Sequence, residues 1–199
     1  MKRKRPCQQN LRIGSKSNFR TLGLLILGLT YLSACAPTPP LPPPQPIGCI
    51  DFEELQLGAR FKFPDTLAVS GVTMVVRAFQ WGNLTWTSTG FVKVESAGKA
   101  GGSGQELFIN NVNLDFIFFE RVNGLSLRFG EYGGNLNIDI NGDFENFNNF
   151  DDINGQIIGG VTVSVVNGLG NDKGTITLTG RIYSFALGGQ ELWIDDVCP

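Results

Sequence analysis

Three sets of residues in this 199-residue chain have types and spacing that could do chemistry. The first is acidic. "CIDFEEL" at 49–55 carries Asp51 and Glu53, and "ELWIDDV" at 191–197 carries Asp195 and Asp196. If Cys49 faces Cys198 across antiparallel first and last strands, Asp51 lies opposite Asp196, Phe52 opposite Asp195 and Glu53 opposite Ile194. Like charges set against each other destabilise a strand pair. Carboxylates crowded in this way call for a cation, and all-oxygen ligation suits calcium. The other reading is a solvated acidic edge that deters edge-to-edge pairing.

The second set is "RAFQWGNLTW" at 77–86. With Gly82-Asn83 as a two-residue turn, Trp81 pairs with Leu84 and Phe79 with Trp86. Arg77, Phe79, Trp81 and Trp86 then share one face, and Met74, Val76 and Ala78 take the other. Either the Met-Val-Ala face is core and the rings stand outward as platforms for sugar rings, or the aromatic face is core with the arginine at its rim.

The third set is the cysteines, and with them goes an absence: the chain has no histidine. A Ser-His-Asp triad, a Cys-His pair and a His-ligated zinc are therefore excluded. Two carboxylates could still serve a glycoside hydrolase, but no spacing singles out a pair, and the expectation is a protein that is not an enzyme. "DINGD" at 139–143 opens like a calcium loop, yet Phe144 and Phe150 stand where an EF-hand needs Gly and Glu.

The elements that would position these residues begin after a leader. Residues 1–20 carry seven Lys and Arg and no acid; "LGLLILGLTYL" follows at 22–32, then "LSAC" ending at Cys35. A basic region, a short apolar run and a small-residue cleavage site make a secretory signal peptide over 1–34. The run is too short for a membrane-spanning helix. Leu-Ser-Ala-Cys resembles the bacterial lipobox, which implies that Cys35 is acylated and anchors the mature chain to membrane lipid. The residue after it, Ala36, is not the Asp of the inner-membrane retention signal, so the expected location is the outer membrane where a cell has two. Residues 35–46, with "APTPPLPPPQP", read as an extended polyproline spacer of about 30 Å.

From Ala36 onward nine Lys and Arg face eighteen Asp and Glu, an acidic balance that disfavours nucleic acid. Cys49 and Cys198, at the two ends of the exported part, are expected to form a disulfide. Residues 47–199 read as one all-β domain. "GVTMVVRAF", "LDFIFFE", "GLSLRFG", "NLNIDI", "VTVSVV" and "GTITLTGRI" alternate apolar with polar, and Gly-Asn and Asn-Gly pairs fall between them. Such spacing predicts an antiparallel β-sandwich of jelly-roll type. "DFENFNNFDDING" at 143–155 breaks the alternation and reads as a helical turn or a loop. One further feature is a near-repeat: "GQELFINNV" at 104–112 and "GQELWIDDV" at 189–197 agree at six of nine positions. The earlier copy, with Asn110 and Asn111, is expected to be a strand of similar shape without the ion.

"CIDFEEL" and "ELWIDDV" together resemble the terminal strands of secreted bacterial β-sandwiches, including galactose-binding-like carbohydrate-binding modules. That resemblance implies a structural calcium held by Asp51, Glu53 and Asp196, with Asp195 in reserve. The expected function is a non-catalytic, lipid-anchored envelope protein that binds a polysaccharide through Arg77, Phe79, Trp81 and Trp86. The alternatives are a structural or adhesive lipoprotein whose partner is an envelope protein, and a carboxylate-dependent hydrolase.

Overall fold

The computed structural model of the protein describes residues 48–199; the leader, Cys7, Cys35 and the proline-rich spacer lie outside the described residues. Sheet 1 runs, neighbour to neighbour, β1 (Arg60–Phe61), β5 (Phe91–Ser96), β6 (Gln105–Asn110), β15 (Leu192–Cys198), β8 (Val122–Glu131), β13 (Asp172–Ile182), β12 (Val161–Val166) and β11 (Ile157–Ile158). Sheet 2 runs β10 (Asp143–Phe147), β9 (Leu136–Ile140), β14 (Phe185–Gly189), β7 (Val112–Ile117), β3 (Val72–Gln80) and β2 (Thr66–Val69), with β4 (Trp86–Thr87) paired to the end of β3. Every pairing is antiparallel. The two sheets pack face to face as the expected β-sandwich.

The alternation seen in the sequence is the reason. Leu125, Leu127 and Phe129 of β8 point inward, as do Val161, Val163 and Val165 of β12 and Leu136, Ile138 and Ile140 of β9. Burying each such side chain contributes about 1.5–3 kcal/mol, and a slip of one residue in any strand would turn that whole set outward. The segment at 143–155 proves to be part strand and part turn. β10 is followed by a 3-10 turn, Phe150–Ile153, whose Phe150 and Ile153 plug the end of the core.

The near-repeat has a structural answer: its two copies are neighbours. In the β6–β15 pair Leu107 lies opposite Ile194, Phe108 opposite Trp193 and Ile109 opposite Leu192. The two rings stack at 4.2 Å with planes 14° apart. The earlier copy is thus no isolated look-alike, because it packs directly on the later one.

Cys49 and Cys198 are joined, 149 residues apart in sequence, and Ile50 forms a bridge with Val197. The expected register of the chain ends therefore holds at that bridge. It stops there, because Phe52 takes φ 63° and the chain turns out of the sheet. A cross-link over so long a loop restricts the unfolded chain by up to about 5 kcal/mol. Replacing Cys49 and Cys198 together by Ser is expected to lower unfolding free energy by an amount approaching that figure, read from urea melts. Reductant should bring the wild type to the same midpoint.

Candidate functional site

A groove of about 480 Å³ lies along the outer face of sheet 2. Its floor follows from strand parity. Inward residues of β14 are Phe185 and Leu187; of the outward ones, the small Ala186 lines the groove and Gly188 is buried beyond its end. Asp115 and Asp139 stand on either side of Ala186, each one strand away. Asn113 and Asn137 flank Gly188 in the same way, and a Cβ on Gly188 would fall 2.0 Å from the Asn113 Oδ1.

One wall is the segment sequence reasoning singled out. Its turn is not the expected one: Phe79 pairs with Thr87 and Gln80 with Trp86, and Leu84 with φ 67° makes the loop three residues long. The face shared by Phe79 and Trp86 is therefore broken. Met74 and Val76 are core, as in the outward-platform reading, but Phe79 is fully buried beside a half-buried Trp81, edge to face at 5.2 Å. Arg77 and Trp86 alone of the four line the groove.

Asparagines hold this hairpin in place. Asn137 of β9 accepts the Gln80 N–H at 2.8 Å and donates to the Gln80 carbonyl at 2.9 Å. Asn146 donates to the same carbonyl and Asn113 to that of Ala78, each at 2.8 Å. β9 is three strands from β3 in the sheet order, so the end of β3 leaves its line and crosses the sheet face. Trp86 consequently meets Phe144 of the far edge strand, ring centroids 5.6 Å apart. Phe63 completes the apolar rim.

The polar groups of the groove are partly committed. Arg77 is ion-paired with Asp115 at 3.3 Å, and the Asp139 Oδ1 accepts the Gly142 N–H at 2.9 Å. The Asn113 Oδ1 is buried with no partner in the protein. A buried acceptor left unpaired is uncommon and costly; this one is packed against Gly188 beneath the groove and is closed to solvent.

The acidic residues of the chain ends do not assemble as expected. Asp51 is exposed and its Oδ1 accepts the Glu53 N–H; the Asp196 carboxylate is taken by Arg128 at 2.8 Å. The chain turns just after Asp51, at Phe52, and Asp196 sits at a register break with φ 48°. Asp195 is fully buried on the outer face of β15 under the 97–104 loop. Its Oδ1 accepts the Asp196 N–H, its Oδ2 has no partner, and a Cβ on Gly102 would fall 1.8 Å from that oxygen. Glu53 reaches in from the first segment, its Oε1 accepting the Gln105 N–H at 2.6 Å. Glu106, missed at the sequence level, lies beside them and accepts three backbone N–H groups, from Gly98, Lys99 and Ala100. Among the described residues no three acidic or thiol side chains are gathered closely enough to hold a metal ion.

Burial, together with the negative charges of Asp196, Glu106 and Glu53, pushes Asp195 up to about 7. The folded state therefore holds this proton more tightly than the unfolded chain does, for which the ordinary value is 3.8. The associated stability is complete below about pH 4 and is lost as pH rises through 7. In metal-free buffer, Tm is expected to fall between pH 5 and pH 8 for the wild type and to fall less for Asp195→Asn. Parallel profiles would show that Asp195 is not the titrating group.

No protein-family model, curated protein or solved structure matches this chain. What the fold and the groove define is an antiparallel β-sandwich with an aromatic-rimmed, polar-floored cleft on one sheet.

Proposed function

We propose that this protein is a non-catalytic, lipid-anchored module of the bacterial envelope, attached through Cys35, whose sheet-2 groove binds a glycan. The observation that carries the reading is the convergence, in one groove, of three exposed or half-exposed rings with charged and amide groups. A sugar ring presents apolar C–H faces, which stack on Trp86, Phe144 and Phe63. Its hydroxyls need donors and acceptors at fixed angles, which Arg77, Asp115 and Asp139 supply. A few placed polar groups within an apolar cleft is the general form of a small-ligand site. Export is supported by the order of basic region, apolar run and lipobox in the leader.

Asp115 and Asp139 share the groove, as a hydrolase of the two-carboxylate type would require. Asp115 is held by Arg77, and Asp139 is spent on a turn, so the groove is read as a binding site. Trp86 is 57% exposed, and Trp86→Ala is expected to abolish retention on the polysaccharide that a glycan array selects, with Tm nearly unchanged. A large fall in Tm would put Trp86 in the core instead. Retention of an envelope protein with a blank array would replace the reading by an adhesive one, and release of reducing ends by a hydrolytic one.

For the expected calcium, a single unpartnered carboxylate oxygen is the contact left to propose. We infer that a Ca2+ in contact with the orphaned Asp195 Oδ2 would offset the buried negative charge there, to which Glu53 and Glu106 contribute. Asp51 and Asp196 take no part. At pH 8, added calcium is expected to raise the Tm of the wild type and leave Asp195→Asn unmoved. An unmoved wild type, with chelator equally without effect, removes the ion from the proposal.

A further inference from the structure

The sheet-2 groove has a charge preference written into its floor. Ala186 of β14 lies between Asp115 of β7 and Asp139 of β9, so two carboxylates leave the sheet on either side of one methyl group. The Cα atoms of the two acids are two strand spacings apart, about 10 Å. One oxygen of each is committed. The Asp115 Oδ2 accepts from both Nε and Nη2 of Arg77, at 3.3 Å each, and the Asp139 Oδ1 accepts the Gly142 N–H. The Asp115 Oδ1 and the Asp139 Oδ2 accept no hydrogen bond from the described residues.

Arg77 is the one cation among the residues that line the groove, and it is already paired with Asp115. The lining therefore carries two negative charges against one positive. Around the rim, the exposed Lys62 and Arg181 are set against the exposed Asp65, Asp143 and Glu145, so nothing there reverses the sign. The rings add a second, independent preference. The face of an aromatic ring is negative and attracts a cation; Trp86 and Phe144 stand 5.6 Å apart at the same groove, and Trp86 is 57% exposed. Carboxylate oxygens only accept hydrogen bonds, whereas an ammonium group brings three donors and no acceptor. Charge-assisted bonds of this kind are roughly twice as strong as neutral ones. A uronate or a sulfate would meet two carboxylates and no free cation in the lining.

We propose that the glycan taken by this groove is a polymer of amino sugars with free amines, one ammonium seated over Ala186 between Asp115 and Asp139. The proposal rests on the glycan reading of the groove and adds the class of sugar to it. Trp86 and Phe144 hold the ring faces, and the two carboxylates select for charge. A lysine-rich peptide shares the ammonium but offers no sugar face to Trp86, and it is the competing occupant.

The test is calorimetric titration of the full-length protein, purified in detergent, with hexamers of β-1,4-linked glucosamine, of its N-acetylated form and of galacturonate. The glucosamine hexamer is expected to bind about tenfold more tightly than the N-acetylated one, and added salt is expected to shrink that advantage. Asp139→Asn should remove the advantage, and Trp86→Ala should remove binding of both hexamers. The wild-type comparison stands by itself if Asp139→Asn does not fold. Equal binding of the two hexamers, tighter binding of the uronate, or a glycan array whose bound members all lack a free amine overturns the amine and leaves the glycan reading in place. An advantage that persists in folded Asp139→Asn overturns the seat between the carboxylates. A hexalysine peptide that binds as tightly as the glucosamine hexamer, and that Trp86→Ala does not weaken, assigns the groove to a basic peptide and overturns the amino sugar. Absence of binding to every carbohydrate overturns both readings.

Discussion

The antiparallel pairing of β15 with both β6 and β8 is the constraint on which the remaining structure depends. The last strand of the chain occupies the middle of sheet 1, not its edge. It delivers Leu192 and Ile194 to the core, stacks Trp193 on Phe108, and carries Cys198 to Cys49 and Asp195 to the buried side of Glu53 and Glu106. The near-repeat makes physical sense in this setting. Two antiparallel strands of the same pattern present the same side chains to each other about a local dyad, here at the Phe108–Trp193 pair. The partners are far apart in sequence, so closure entropy must be met before the contacts form, and a sheet assembled this way is expected to fold slowly.

Much of this fold was legible because apolar alternation is a direct record of which face is buried. Asn141-Gly142 is a two-residue turn with both residues at positive φ, and Ile140 pairs with Asp143 across it. Ile138 pairs with Glu145, an apolar residue opposite a charge. β10 is an edge strand, so Glu145 reaches solvent past the rim of the core while Ile138 stays beneath it. An inward-facing charge on an edge also discourages pairing with another chain.

The site was legible only in part, and the failures share a cause. Periodicity reports burial along a strand but not bends enforced from elsewhere in the sheet. Arg77 and Trp86 were identifiable; the burial of Phe79 was not, because it follows from Asn137 and Asn146 bonding the backbone of Gln80 from strands distant in sequence. Ala186 shapes the floor by what it lacks, and a small residue in a strand sends no positive signal. Glu106 left one trace, the repeat that placed a carboxylate in both copies. The acidic ends were misjudged in a comparable way: the register to Ile50 was right, and a single left-handed residue at Phe52 then dispersed the side chains it implied.

The division of labour between the sheets has a mechanical consequence. The chain enters and leaves through sheet 1, where the disulfide, the aromatic stack and the buried acids also lie. The groove opens on the outer face of sheet 2, with the packed core between it and all of these. A force applied at Cys49 would load the disulfide and β15, which are cross-linked, ahead of the Asn-pinned hairpin whose position sets the groove. The groove is held by a handful of amide–backbone bonds, each contributing about 0.5–1.5 kcal/mol. A load at the chain entry would meet the covalent route through the other sheet before it reached these bonds.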